Sequence, residues 1–207
     1  MFVFIGLLGY WYLLGYYRMI VKIPHPALTS VAKPIALIDK KVLSVIEQLK
    51  KDLVGSKNPK GVGLAAPQIG IPLRIFITRP LEKSKIEVYI NPQIIWQSET
   101  LVEIKRPERS EGEKPSLRRD KKLEGCLSIP NIWGYLKRAD SVRLTYMDIE
   151  GAIQSQEFSG FIATIIQHET DHVNGILFTK RVLEQGGKLY TITIDKKGEE
   201  TLVEIEI

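Results

Sequence analysis

His168 and His172 stand four residues apart, with Glu169 beside the first, in the run Gln167-His168-Glu169-Thr170-Asp171-His172. On an α-helix, residues i and i+4 share a face one turn apart, so both imidazoles can reach one metal ion. The pattern is H-E-x-x-H, whose acid takes a proton from a metal-bound water and delivers it to a leaving group. Glu169 occupies that place. The plainer alternative is a helix with surface histidines and an exposed acid, and three matched positions do not exclude it. The chain has three histidines; the third, His25, lies between prolines and reads as a loop residue.

A catalytic metal needs further protein ligands and one open position. The single cysteine, Cys126, sits in Leu123-Glu124-Gly125-Cys126-Leu127-Ser128-Ile129-Pro130. Beside glycine, between strand-like runs, it can be a small buried hydrophobe. It is equally the third ligand that two histidines lack, and two His with one Cys leave a tetrahedral position for water. One cysteine excludes an intramolecular disulfide and suits a reducing cytosol. A second unusual stretch is Gly61-Val62-Gly63-Leu64-Ala65-Ala66-Pro67-Gln68. It is small, apolar and Gly-spaced, so backbone can come close to a helix or a ligand. It lacks the Gly-Lys-Ser/Thr ending of a phosphate loop. Gln68 is its one side chain able both to donate and to accept hydrogen bonds.

These residues need elements to hold them. Ser159 is the expected N-cap of the histidine helix, Gly160 opens it, Ile162, Ile165 and Ile166 recur at helical spacing, and Asn174-Gly175 is the stop signal. Val142–Asp148 and Ala152–Phe158, turned by Glu150-Gly151, read as a hairpin leading into that helix. Val42, Val45, Ile46, Leu49 and Leu53 predict an amphipathic helix from about Asp39 to Gly55. Ile23-Pro24-His25-Pro26 reads as extended or turning, and Asn58-Pro59 as a turn. Leu73–Thr78, Val88–Asn91 and Ile94–Trp96 read as three strands. Leu189–Ile194 and Thr201–Ile207 form a last hairpin around Lys197-Gly198.

The 207 residues suffice for one domain with a substantial core, and the composition is ordinary for a globular protein. The formal charge of +5 is compatible with an anionic partner such as ribosomal RNA without demanding one. Between Lys105 and Lys122 stand eight basic and four acidic side chains, and 103–122 reads as a long, solvated, charged loop. Residues 1–17 carry no charge. As a helix they would span roughly 26 Å, slightly short of a ~30 Å bilayer core. No basic region precedes them and no small-residue cleavage site follows, so they make a poor secretory signal. Three readings stay open for 1–18: a mis-called start before Met19, a short membrane anchor, or an extra hydrophobic element packed on the domain.

In order, GVGLAAPQ (61–68), EGCLS (124–128) and QHETDH (167–172) resemble the peptide deformylase family. The resemblance runs from about Met19 to Arg181. It implies removal of the formyl group from N-formylmethionyl nascent polypeptides in the cytoplasm, with transient contact to the ribosome and no specific nucleic-acid sequence. A membrane is implied only if 1–18 act as an anchor. By resemblance the metal ligands are Cys126, His168 and His172. The ion is Fe(II), with Zn, Ni or Co as alternatives, one per chain. Glu169 is the general acid/base, acting on a metal-bound hydroxide. Gln68 and the backbone N–H of Leu127 stabilise the oxyanion, and Gly63 bonds the peptide through its backbone. Val62, Ile162 and Ile165 are placed to line a methionine pocket, with ordinary core packing as the alternative for each. Glu124 and Arg138 stand where relatives form a supporting ion pair.

The implied fold is α+β: mostly antiparallel, partly curved sheets around one central helix that carries the metal motif, in a single catalytic domain over 19–207. Three features depart from the family pattern. The 103–122 loop is long. Trp133 stands where many relatives carry a smaller or basic residue near the peptide path. The C-terminal end reads as strand where the best-known subclass has a helix linked to ribosome docking. Two other functions compete: a zincin-like peptidase with a different third ligand, which leaves Cys126 without a role, and a membrane-tethered binding protein with an inactive deformylase fold.

Overall fold

The computed structural model describes residues 20–57, 59–108, 116–196 and 198–206. The apolar segment 1–18, the turn residue Asn58, the middle of the charged loop (109–115) and Lys197 lie outside the described residues. Helix α1 (Lys40–Gly55) covers the stretch expected to be an amphipathic helix, and Asp39 caps it. The Asp39 carboxylate accepts the Val42 N–H at 2.9 Å, and Val42, Ile46, Leu49 and Leu53 form one buried face. The strands follow as β1 (Gly63–Ala65), β2 (Ile75–Thr78), β3 (Glu87–Gln97) and β4 (Leu101–Glu103). After the short helix α2 (Leu117–Asp120) come β5 (Glu124–Cys126), β6 (Ile129–Gly134), β7 (Lys137–Ala139), β8 (Ser141–Met147) and β9 (Ile153–Ser159). Helices α3 (Phe161–Val173) and α4 (Phe178–Glu184) precede the hairpin β10 (Leu189–Ile194) and β11 (Glu200–Ile205).

All strand pairs are antiparallel. They make a five-stranded sheet in the order β1-β2-β3-β8-β9, a four-stranded sheet β11-β10-β6-β5, and the pair β4-β7. Strand β2 shows why α3 is central. Its side chains alternate, so Ile75 and Ile77 pack towards α1 while Phe76 joins the opposite core with Ala163, Ile166 and Val173 of α3. A third core joins Cys126, Ile129 and Leu136 to Phe178 and Val182 of α4 and to Leu189. This is the expected α+β arrangement, with one helix held among antiparallel sheets.

Local expectations failed in three places. Val88–Asn91 and Ile94–Trp96 are not separate strands but one strand, β3, with irregular register against β8. Asn91 at φ +51 makes the bend, and its side chain both accepts from the Ile35 N–H (2.8 Å) and donates to the Ile35 carbonyl (2.7 Å). Ser159 does not cap α3. It is still paired with Ser141 in the sheet, and Gly160 at φ +65 turns the chain, its N–H donating to the Asp140 carbonyl at 2.9 Å. The 103–122 stretch is not structureless throughout, since Glu103 ends β4 and α2 lies within it. His25 caps a 3-10 turn (Pro26–Leu28), its Nδ1 accepting the Ala27 N–H. Among the described residues no helix is long and apolar enough to cross a membrane.

The end of α3 follows its stop signal, with Asn174 as C-cap and Gly175 at φ +70. A Cβ at Gly175 would lie 2.8 Å from the Ser30 backbone, which cannot yield as a flexible side chain can. Gly175→Ala is therefore expected to cost at least the ~1–3 kcal/mol of a strained left-handed residue, read as a lowered urea midpoint with unchanged slope.

Candidate active site

Helix α3 presents His168 and His172 on one face, as their spacing requires, and buries most of its remaining surface. Cys126 reaches them from the end of β5. Its Sγ lies 3.1 Å from His172 Nε2, and one ligand atom from each of Cys126, His168 and His172 lies within 4.8 Å of the others. Gly125 is needed to bring β5 this close to β6, because a Cβ there would come within 2.4 Å of the Trp133 ring.

Behind the donors lies a buried ionic network. Arg138 holds Glu124 with two bonds, Nε to Oε2 at 2.8 Å and Nη2 to Oε1 at 2.7 Å. Its Nη1 donates to Asp171 Oδ2 at 2.9 Å, and Arg181 adds bonds to Asp171 Oδ1. Glu124 Oε1 also lies 2.7 Å from His168 Nδ1. A carboxylate there fixes the tautomer with the proton on Nδ1 and leaves Nε2 free to ligate. Burial opposes the charge on Glu124, but Arg138 and then His168 hold its carboxyl well below the usual range. Burial likewise works against ionising Cys126, yet His172 and His168 pull its thiol well below normal. The cysteine is thus poised as a thiolate, the form that ligates metals.

Glu169 is 3% exposed, and its Oε2 meets no protein partner. Burial pushes its carboxyl up to about 7, against the pull of the two histidines. The carboxylate fits only because residue 63 is glycine, since a Cβ there would stand 2.3 Å from Glu169 Oε1 and 2.9 Å from its Cγ. Gln68 is pinned by the Ala65 N–H, which donates to its Oε1 at 2.8 Å. Its Nε2 is thereby aimed at Cys126 Sγ and Ser128 Oγ, both at 3.4 Å. The Leu127 carbonyl accepts from Lys22 Nζ, and the Ser128 N–H points at Cys126 Sγ. Two imidazoles and a thiolate are a donor set for one divalent transition ion. The unpartnered Glu169 Oε2 beside them fits a site that also holds water or substrate.

A cleft of about 610 Å³ opens onto this centre. Val62, Gly63, Gln68, Glu124, Cys126, Leu127, Ile165, His168 and Glu169 all line it. Ile162 does not. It packs with Phe76, Tyr89 and Phe158 in the core between α3 and the five-stranded sheet. The face that meets the cleft runs through Phe161, Thr164, Ile165 and His168, the i, i+3, i+4, i+7 set counted from Phe161. Counting back from His168 finds Phe161 and Thr164, which the isoleucine pattern misses. Sequence reasoning also missed Asp171, Arg181 and Gln167; Gln167 bonds the backbone of Ala139 at both its N–H and its carbonyl. A larger hollow of about 920 Å³ borders Arg138 and Asp171 but includes none of the three metal donors.

Residues 17–187 match the family described as polypeptide deformylase. A peptide deformylase of Rhodopirellula baltica is 36% identical over 170 residues, covering 81% of this chain and 74% of its own. One from Dehalococcoides mccartyi strain BAV1 is 32% identical over 188 residues, covering 90% and 98%. Among solved structures, a peptide deformylase from Legionella pneumophila superposes with a TM-score of 0.66 at 30% identity, covering 79% of this chain and 85% of its own. An Acinetobacter baumannii class I type b peptide deformylase, bound to Met-Ala-Ser, superposes with a TM-score of 0.64 at 29% identity, covering 78% and 96%.

The ionic network and Glu169 each predict a stability effect. Arg138→Met takes the guanidinium from buried Glu124 and leaves Asp171 with Arg181 alone, and is expected to cost ~3–5 kcal/mol. Glu124→Gln combined with Arg138→Met is expected to cost less than the sum of the singles, and strict additivity in urea denaturation would count against the pair. Glu169, at about 7 when folded against 4.5 ordinarily, keeps a proton that the unfolded chain has released. It therefore removes stability as pH rises between those values. In metal-stripped protein, Glu169→Gln is expected to be more stable than the parent at about pH 8 and close to it at about pH 4.5. A difference that does not change with pH would refute this role of burial.

Proposed function

The chain belongs to the polypeptide deformylase family, and from that premise we propose that it hydrolyses the formyl amide of N-formylmethionyl nascent polypeptides with Glu169 as the proton carrier. The observation that carries this reading is the Glu169 carboxylate, buried beside three metal donors with one oxygen unengaged. A divalent ion held by Cys126, His168 and His172 would polarise the formyl oxygen and acidify water. Glu169 takes a proton from the attacking water, whose oxygen bonds to the formyl carbon. As the carbon–nitrogen bond breaks, Glu169 returns the proton to the amine nitrogen, leaving formate and a free N-terminus. The Gln68 amide, pinned with its Nε2 towards Cys126, and the Leu127 N–H meet the negative charge on the former carbonyl oxygen. One such donor is worth about 3 kcal/mol.

Substrate binding follows from the sheet. Strand β1 is at the edge of the five-stranded sheet, so an extended peptide can add beside Gly63 through backbone hydrogen bonds. Val62 and Ile165 then flank the methionine side chain. The Met-Ala-Ser of the Acinetobacter relative is what formyl-Met-Ala-Ser becomes after loss of formate. We take Fe(II) as the native ion, with Zn, Ni or Co as substitutes, because a thiolate with two imidazoles suits all four. We place the enzyme in the cytoplasm and in transient contact with the ribosome. The ionised lone cysteine suits a reducing compartment, and the +5 charge favours an RNA surface without reading its sequence.

Protein prepared anaerobically with Fe(II) is expected to release formate from formyl-Met-Ala-Ser. Glu169→Ala is expected to lose ~10²–10⁴-fold in kcat while keeping about one ion per chain by metal analysis, whereas Cys126→Ala is expected to lose the ion. Absence of turnover in folded, metal-loaded protein would refute the proposal. Equal turnover in parent and Glu169→Ala would remove Glu169 from the proton path.

A further inference from the structure

One wall of the cleft carries cationic groups that formyl hydrolysis does not use. Arg106, Arg118 and Arg119 line it from the charged insertion, next to Trp133 of β6. Arg118 Cζ lies 5.3 Å from the Trp133 ring centroid, within cation–π range. The insertion's described residues after 115 are held in place here. The Leu117 N–H donates to Glu200 of β11 at 2.8 Å, the Leu123 N–H to the Arg118 carbonyl at 2.8 Å, and Arg119 to the Pro107 carbonyl.

The wall has donors without acceptors. Arg106 Nη2 donates to the Leu123 carbonyl at 2.7 Å, but its buried Nη1 meets no partner, and neither does the buried Trp133 Nε1. Among the described residues no carboxylate pairs with Arg118. Burial pulls the Arg106 guanidinium down to about 10; Glu124 opposes this, while Arg119 and Arg118 add repulsion. Of the acids lining the cleft, Glu124 is already taken by Arg138 and His168, Glu82 by Lys60, and Glu169 serves the reaction; Glu108 is exposed. Buried donors left unpaired are costly, and hydrogen bonds from guanidinium to carboxylate are strong.

We infer that Arg106, Arg118 and the Trp133 indole N–H form a subsite for a carboxylate of the substrate, so that the enzyme favours peptides with an acidic side chain soon after formylmethionine. This rests on the deformylase reading. The same cleft holds Gly63 and Glu169, so a peptide seated for reaction has its next residues within the cleft's reach.

The test compares C-terminally amidated peptides, which carry no terminal carboxylate. The pairs are formyl-Met-Asp-Ala against formyl-Met-Asn-Ala, and formyl-Met-Ala-Asp against formyl-Met-Ala-Asn. At low ionic strength we expect Asp to exceed Asn in kcat/KM by about tenfold in one pair, the size of one charge-assisted contact. The ratio should shrink with added salt and fall to about one in Arg118→Gln and in Arg106→Gln. Each protein is its own control, because only the ratio is read; should Arg106→Gln not fold, Arg118→Gln decides. Ratios of one or below in both pairs for the unaltered protein would overturn the inference, as would a ratio that survives both substitutions. No turnover of the Asn peptides would strike the deformylase reading instead. Calorimetric binding of Met-Ala-Asp-amide against Met-Ala-Asn-amide, and of Met-Asp-Ala-amide against Met-Asn-Ala-amide, then decides the subsite by the same ratios.

Discussion

Arg138 lies 7% exposed between two carboxylates that are equally buried, and the geometry of the centre depends on that arrangement. Removing such charges from water costs several kcal/mol each, and only close, multiply bonded partners offset it. Glu124 is two residues before Cys126, Asp171 is one before His172, and Arg138 comes from β7. The guanidinium thus joins the strand bearing the thiolate to the helix bearing the imidazoles. Glu124 extends the link to the ring of His168. A buried network of this kind adds little net stability over an apolar core. Its effect is to reject alternative arrangements, since any sliding of α3 against β5 leaves a charge unpaired.

Within that frame, neighbouring groups acquire opposite proton affinities. The Arg138 guanidinium holds the Glu124 carboxyl down and the two histidines pull the Cys126 thiol down, whereas burial raises the Glu169 carboxyl. Pairs of groups pushed apart in this way are how one site holds both a fixed anion and a movable proton. The glycines of the first motif make this possible by absence. Glu169 has room beside β1 because Gly63 has no side chain, and the same bare backbone leaves the sheet edge open to a peptide.

What the sequence revealed follows the range of the interactions involved. The buried face of α1, the end of α3 at Asn174-Gly175, and the β8–β9 hairpin are local patterns and were legible. The donor triad was legible because the i, i+4 spacing is local and the chain has a single cysteine. The bend at Asn91 was not, because its cause is a pair of bonds to Ile35, far off in sequence. Asp171 and Arg181 carried no local signal, because the pairing of Asp171 with Arg138 and Arg181 is a property of the assembled layers. Ile162 shows the limit of periodicity. An apolar residue on a helix with core on one side and a cleft on another is equally suited to both, and only the rotation of α3 decides.

Trp133, the terminal hairpin and the start of α2 meet one another in space. Strand β10 pairs with β6, setting Tyr190 opposite Trp133 and Leu189 opposite Gly134. A C-terminal strand, unlike a helix, can satisfy the backbone of β6 and so support a large ring at residue 133. The open edge then moves outward to β11, which carries Glu200 and Glu204, charges of the kind that discourage edge-to-edge pairing. Glu200 in turn holds the start of α2, whose Arg118 lies over the Trp133 ring. The long insertion, the tryptophan and the terminal hairpin are therefore one structural unit. It stands against the cleft but outside the Glu124–Arg138–Asp171 frame, so its residues can vary without disturbing that frame.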